Sequence, residues 1–284
     1  MPDSAVLLVH SPDRKGLVAA ISNFLYSHNA NILHADQHQD PELGLFFMRV
    51  EWDLRDFSLD ETALREEFRP LAEKLQMSWQ LAYSSLLPSV AIFVSRYEHC
   101  LLDLLYRQRI GELRCRIPII IGNHPGTREL AAFYGIRFHH IQVDSLNKAE
   151  AEAKQSALLE EHAVDLIVLA RYMQILSPEF VARYAQRIIN VHHSFLPAFS
   201  GARPYHAAYE RGVKLIGATS HYVTEVLDDG PIIEQDVVRV SHRDQLDDLI
   251  KKGRDLERMV LSRAVHWHLD RRILHYAGKT VVFD

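Results

Sequence analysis

Cysteine is nearly absent: Cys100 and Cys115 are the only two in 284 residues, set apart in apolar surroundings. That excludes a disulfide-stapled secreted scaffold and the paired thiolate spacing of a structural zinc site. No stretch approaches the roughly 20 apolar residues that a membrane span needs. The start, Met1-Pro2-Asp3-Ser4, has neither a basic segment nor a long apolar one behind it, so a cytoplasmic protein is expected, with no membrane partner. No basic cluster stands out, and the net charge is -5, which argues against nucleic acid as a partner. Neither a G-x-G-x-x-G nor a Walker loop occurs, so a dinucleotide or triphosphate is not indicated. Histidine is abundant at 17, yet no H-E-x-x-H or comparable ligand spacing appears. No metal and no cofactor are expected.

What is present is ordinary globular composition, 48% hydrophobic and 24% charged, enough for one large or two modest domains. The first 84 residues read as strand, helix, two strands, helix, strand. Ala5 to His10 is a compact apolar run, and Leu17, Val18, Ile21, Phe24 and Leu25 follow at helical spacing. Ile32 to Gln39 and Leu45 to Trp52 flank an Asp-Pro-Glu-Leu-Gly turn. A helix from about Asp60 to Gln76 precedes a strand from Ser78 to Tyr83. This βαββαβ order is that of a ferredoxin-like sandwich, which by itself assigns no function. Residues 85–89 lack apolar periodicity and read as a linker. From residue 90 to 284, short β-rich runs alternate with helical patterns, which implies right-handed crossovers and a Rossmann-like, mostly parallel sheet in an α/β domain. Tyr276 to Phe283 is read as a final short strand.

Chemistry concentrates at Ile188-Ile189-Asn190-Val191-His192-His193-Ser194-Phe195-Leu196-Pro197. Side chains alternate along a strand, so Asn190 and His192 share one wall where the strand runs out into a loop. Further on, Val226-Leu227-Asp228-Asp229-Gly230-Pro231 places a carboxylate on a turn. Taken singly, a strand-end histidine and an Asp-Asp-Gly-Pro turn are most simply structural. Together an amide donor, an imidazole and a carboxylate suffice for hydrolysis at a carbonyl.

In the contexts Asn-x-His-x-Ser-x-Leu-Pro and Leu-Asp-x-Gly-Pro-Ile, Asn190, His192 and Asp228 resemble the catalytic set of the folate-dependent formyltransferase superfamily. The resemblance implies that Asn190 donates to an oxyanion, that His192 supplements it or acts as the acid, and that Asp228 orients the imidazole or a water and accepts a proton. It further implies folate contacts from Arg171, Tyr172, Met173, Ile175 and Leu176, with Val226 and Leu227. His193, Ser194 and His221 are expected to hold His192 in its tautomer, and Gly201-Ala202-Arg203-Pro204-Tyr205-His206 to shape the mouth of the cleft. Superfamily members that formylate a phosphoribosyl amine carry a Gly-rich phosphate loop after the domain's first strand; here that place reads Ser95-Arg96-Tyr97-Glu98-His99-Cys100-Leu101. The superfamily member that uses tRNA as acceptor carries a basic C-terminal domain, whereas here about forty residues follow Val240, so that acceptor is not expected. Water is therefore the expected acceptor. The implied reaction is hydrolysis of 10-formyltetrahydrofolate to formate and tetrahydrofolate, serving purine synthesis and one-carbon balance. Two alternatives stay open: an amine formyltransferase, and an amino-acid-sensing regulator whose enzyme domain is inert.

Ser11-Pro12-Asp13-Arg14-Lys15-Gly16-Leu17-Val18 with Asn29-Ala30-Asn31-Ile32 resembles the ACT domain, a module that commonly binds amino acids at a subunit interface. Asp13, Gly16 and Asn31 are the candidate effector residues, the first two placed where a helix N-terminus offers free amides. A homo-oligomer is expected.

Overall fold

A computed structural model describes residues 3–197 and 204–284. The chain divides into two compact units, Met1–Leu87 with Arg271–Asp284, and Pro88–Asp270. The first contains β1 (Ser4–Pro12), α1 (Leu17–Ser27), β2 (Asn31–Asp40), β3 (Leu45–Asp53), α2 (Glu61–Lys74) and β4 (Ser78–Tyr83). The four strands are antiparallel in the order β2-β3-β1-β4. Ala5, Leu7 and Val9 of β1 and Trp52 of β3 pack on Leu17, Ile21 and Leu25 of α1 and on Leu64 and Phe68 of α2. The expected ferredoxin-like sandwich is thus present. Gly16 begins α1 at φ 92, a left-handed conformation that costs glycine little.

The second unit holds β5 (Ser89–Val94), α3 (His99–Arg109), β6 (Arg116–Gly122), α4 (Arg128–Phe133), β7 (Arg137–His140), α5 (Lys148–Glu161), β8 (Leu166–Ala170), α6 (Pro178–Arg183), β9 (Ile188–His192), α7 (Pro204–Arg211), β10 (Leu215–Tyr222), β11 (Ile232–Arg239) and α8 (Leu246–Leu269). Its sheet runs β11-β10-β9-β8-β5-β6-β7. Strands β5 to β9 are parallel, whereas β10 and β11 join antiparallel. All of β5 and β8 is buried, as continuous apolar strands between two helical layers should be. The strand order reverses between β5 and β8, so the loops after those strands face the crevice where doubly wound sheets hold ligands. Helix α7 has no counterpart in the expected pattern, and its start falls beside a segment, 198–203, that lies outside the described residues.

The C-terminus departs from expectation. In place of one strand from Tyr276 to Phe283 there is a hairpin, β12 (Ile273–Tyr276) and β13 (Lys279–Val282), and it belongs with the first unit rather than with a domain running from 90 to 284. The reason is visible in β1, whose odd residues serve the helices while its even residues, Val6 and Leu8, are equally apolar. A strand apolar on both faces needs cover on both, and Leu274, Val281 and Phe283 supply it together with Phe47. The Tyr276 hydroxyl donates to Asp40 Oδ2 at 3.2 Å, and Arg49 Nε donates to the Arg271 carbonyl at 3.1 Å. The proposed linker shortens likewise, because Ser89 already lies in β5. Phe283→Ala should therefore destabilise the first unit by about 3 kcal/mol, the usual result of emptying a buried phenyl site. Chemical unfolding followed through the tryptophans of β3 and β4 measures it, and an unchanged midpoint would contradict the assignment.

Candidate active site

Asn190 and His192 close β9, and both face β10, which runs antiparallel to it. In that register Asn190 lies opposite His221 and His192 opposite Thr219. The Asn190 Nδ2 and His221 Nε2 are 3.2 Å apart. His221 Nδ1 lies 2.9 Å from the Tyr222 carbonyl, which accepts only, so Nδ1 carries the proton and Nε2 receives the hydrogen of Asn190. One hydrogen of the Asn190 amide is thereby used, and its second remains to serve a reacting oxygen.

Asp228 meets both imidazoles. Its Oδ2 is 3.2 Å from His192 Nδ1, and its Oδ1 is 3.7 Å from His221 Nε2. Hydrogen bonding from His192 Nδ1 holds the Asp228 carboxyl well below the ordinary carboxylate range. An ionised Asp228 fixes the proton of His192 on Nδ1, which leaves Nε2 with its lone pair. That Nε2 is buried and has no hydrogen-bond partner among the described residues. Asp228 adopts φ 56, a left-handed conformation that Asp and Asn tolerate better than most residues. Gly230 seats the loop. A Cβ there would approach the Tyr222 carbonyl oxygen to 1.6 Å, so no other residue fits without moving Asp228.

The loop after His192 is held by β10 and β11. Thr219 Oγ1 donates to the Ser194 carbonyl at 2.9 Å and accepts from the Leu196 amide at 3.1 Å. Gln235 Nε2 reaches both the Leu196 carbonyl, at 3.1 Å, and Thr219 Oγ1, at 3.0 Å.

The residues expected to contact folate separate into two groups. Met173, Ile175, Val226 and Leu227 are exposed apolar side chains, all but Met173 more than 60% so. Exposed apolar groups on the loops after β8 and β10 suit an aromatic ligand better than water. Tyr172 and Leu176 do not suit that role through their side chains. Both lie in the core, where the Tyr172 ring packs edge-on against Phe93 and its hydroxyl accepts from Gln155 Nε2 at 2.8 Å. Arg171 also turns away from them, toward Glu257. Arg171 and Met173 both have positive φ, 61 and 44, a reversal that sends neighbouring side chains in opposed directions.

A second polar cluster was not anticipated. Glu257 of α8 is buried, and its Oε2 is 2.7 Å from His99 Nε2 while its Oε1 accepts from the Tyr205 hydroxyl at 2.7 Å. Burial opposes its charge, yet the His99 hydrogen bond and the Arg171 charge hold its carboxyl below the ordinary value. Tyr205 reaches it only because residue 253 is glycine, where a Cβ would fall 2.2 Å from the phenol ring. His99, Cys100 and Glu257 also form the one grouping among the described residues whose donor atoms could surround a metal. Burial pushes the Cys100 thiol well above its usual range, which disfavours the thiolate a metal would need. His193, whose ring is 5.1 Å from that of His192, lines the cavity beside this cluster, so it does more than support His192. A larger cavity of about 600 Å³ between α5 and α6 contains none of the candidate groups.

In the first unit, Asp13 Oδ2 accepts from Gln39 Nε2 at 2.5 Å, Gly16 caps α1, and Asn31 begins the exposed β2.

Residues 89–265 match the family model described as formyl transferase, and residues 5–69 match the ACT domain. The chain belongs to the formyl transferase family. It is 56% identical to a formyltetrahydrofolate deformylase of Synechocystis sp., over 99% of this chain and 98% of the relative. A deformylase of that name from Bacillus subtilis is 52% identical, over 99% and 94%. The crystal structure of a formyltetrahydrofolate deformylase from Pseudomonas syringae pv. tomato superposes with TM-score 0.98 at 49% identity, covering 100% of this chain and 95% of that one. A phosphoribosylglycinamide formyltransferase from Anaplasma phagocytophilum superposes at 0.64 with 29% identity, over 70% and 96%.

Within this family fold the triad Asn190, His192 and Asp228 is brought together as its motifs imply, and His221 joins Asn190 to Asp228 instead of only flanking His192. Thr219 and Gln235 escaped sequence reasoning because their roles depend on antiparallel register. The Asp228 pKa gives a test. Its folded value lies below the unfolded 3.8, so its stabilisation is complete above that value and is lost as pH falls below it. The stability gap between the native chain and Asp228→Asn should therefore be widest above pH 3.8 and narrow on acidification, as denaturant titrations at several pH values will report. A gap that widens in acid would refute the ionised assignment.

Proposed function

We propose that the protein hydrolyses 10-formyltetrahydrofolate to formate and tetrahydrofolate. The observation that carries this reading is the bare, buried Nε2 of His192 beside the Asn190 amide, with Asp228 ionised behind it. The relatives named above are formyltetrahydrofolate deformylases along nearly their whole length, which supports the same substrate. Water attacks the formyl carbon, and His192 Nε2 takes the proton that the attacking oxygen sheds. Asn190 donates its second amide hydrogen to the developing oxyanion, an interaction worth about 3 kcal/mol in comparable sites. As the bond from carbon to N10 breaks, His192 returns the proton to that nitrogen, and the formic acid formed gives up its remaining proton to solvent and leaves as formate. Asp228, held well into its ionised range, is a poor proton acceptor; it orients His192 and stabilises the transient imidazolium. Met173, Ile175, Val226 and Leu227 form the apolar wall for the pterin. The chemistry runs on side chains alone, without metal or cofactor, and feeds formate to purine synthesis and the one-carbon pool.

The ACT domain supplies regulation in this reading, with an amino acid held near Asp13, Gly16 and Asn31. All of β2 except Asp40 lies outside the core, and β2 forms an unpaired edge of the sheet, which supports pairing with a second copy. No helix among the described residues is long and apolar enough to cross a membrane, in keeping with a cytoplasmic enzyme.

Formate should appear when the purified chain meets 10-formyltetrahydrofolate with no amine present, and chelator should leave the rate unchanged; dependence on an added amine would instead indicate a transferase. Asp228→Asn, which preserves the turn because Asn also accepts a left-handed φ, should lower kcat roughly 10²- to 10⁴-fold with little change in folate Kd. Wild-type turnover in that variant would remove Asp228 from the mechanism. Light scattering should give more than one copy per particle.

A further inference from the structure

The cavity beside Glu257 has more cationic donors than its own anion can satisfy. It measures about 310 Å³, and its lining comes from five places: Tyr97 after β5, Arg171 after β8, His193 after β9, Tyr205 on α7, and Arg254 with Glu257 on α8. Arg171 and Arg254 both lie over the Tyr97 ring, at 5.6 and 5.4 Å from its centre, so two guanidinium groups approach one side chain. Among the described residues the only carboxylate lining this cavity is Glu257, and both its oxygens are already engaged by His99 and Tyr205. Arg171 comes within 3.4 Å of Glu257 through Nε, yet neither Nε nor Nη1 has a hydrogen-bond partner among the described residues. Arg171 is only 8% exposed, so these donors are not satisfied by bulk water. A buried guanidinium with two unmade hydrogen bonds is costly unless an acceptor completes it.

We propose that this cavity is a binding site for a small oxyanion, a carboxylate or a phosphate, held by Arg171 and Arg254 against the Tyr97 ring. A buried guanidinium whose N–H groups lack acceptors favours an oxyanion within its reach. Arg254, exposed at the rim, draws the anion in, and Arg171 receives it inside. The place is informative, because no Gly-rich backbone cradle follows β5; side-chain donors from two loops and α8 occupy that position instead. A carboxylate occupant would be formate or a formate-like acid, adjoining the centre through His193. A phosphate occupant would be a phosphorylated effector or inorganic phosphate.

The test is thermal unfolding of the full chain with sodium formate, inorganic phosphate or sodium chloride at matched ionic strength and pH. Binding to the folded state raises Tm in proportion to the logarithm of occupancy. A saturable rise with formate or phosphate beyond that in chloride is expected, and Arg254→Gln should weaken the apparent affinity at least about fivefold. Formate alone raising Tm assigns a carboxylate; phosphate alone assigns a phosphoryl group. Tyr97→Leu, which removes the ring beneath both guanidinium groups, gives a second reading if Arg254→Gln folds poorly. No rise beyond chloride with either anion, or an equal rise in both variants, would overturn the proposal. Because the readout is stability and not turnover, the outcome stands apart from whether the chain hydrolyses 10-formyltetrahydrofolate.

Discussion

The antiparallel pairing of β10 with β9 is the constraint on which the site depends. It sets His221 across from Asn190 and Thr219 across from His192. From that single register follow the hydrogen bond that orients the Asn190 amide, the clamp on the loop after His192, and the pair of imidazoles that receives Asp228. A slip of one residue would turn every one of these groups to the opposite face. Gly230 then brings the Asp228 loop against the Tyr222 backbone closely enough for the carboxylate to meet both rings. The electrostatics are secondary to this placement: Asp228 stays ionised because the His192 imidazole hydrogen-bonds to it.

The division of labour between the imidazole and the carboxylate follows from the same geometry. A carboxylate held far below its ordinary pKa releases a proton readily and accepts one poorly, so the proton carrier is the group with a free lone pair. That group is His192, whose Nε2 is the unpaired buried nitrogen at the end of β9. Next to this centre, α8 contributes Glu257 as the hub of a separate polar cluster, and the two meet through the adjacent rings of His192 and His193. A protein that releases a small acid beside an arginine-lined cavity has a physical means of sensing that acid or another oxyanion.

Helices and strands with strong periodicity were legible in the sequence almost to the residue. The β1, α1, β2, β3, α2 and β4 series and the alternation from β5 to β9 needed only the 2 and 3.6 repeats of apolar residues. The C-terminal hairpin was legible as extended chain, but not as the cover of a distant sheet, because Leu274 and Phe283 are apolar whichever surface they meet. Tyr172 and Leu176 illustrate a related limit. They belong to a segment that borders the ligand, and only the reversals at Arg171 and Met173 decide which of its side chains face the core.

What the sequence by itself determined was the local chemistry: an amide and an imidazole two residues apart on a strand, a carboxylate on a turn, and no acceptor-binding loop of the glycine-rich kind. Alternation along a strand fixes the first relation without any knowledge of neighbours. Tertiary structure alone decided that Asp228, 36 residues beyond His192, reaches its Nδ1 at 3.2 Å, that His221 ties Asn190 into the same network, and that Glu257 draws His99, Tyr205 and Arg171 together from three other segments. Those contacts join residues far apart in the chain, and their existence depends on strand register and helix placement that no local pattern of residues encodes.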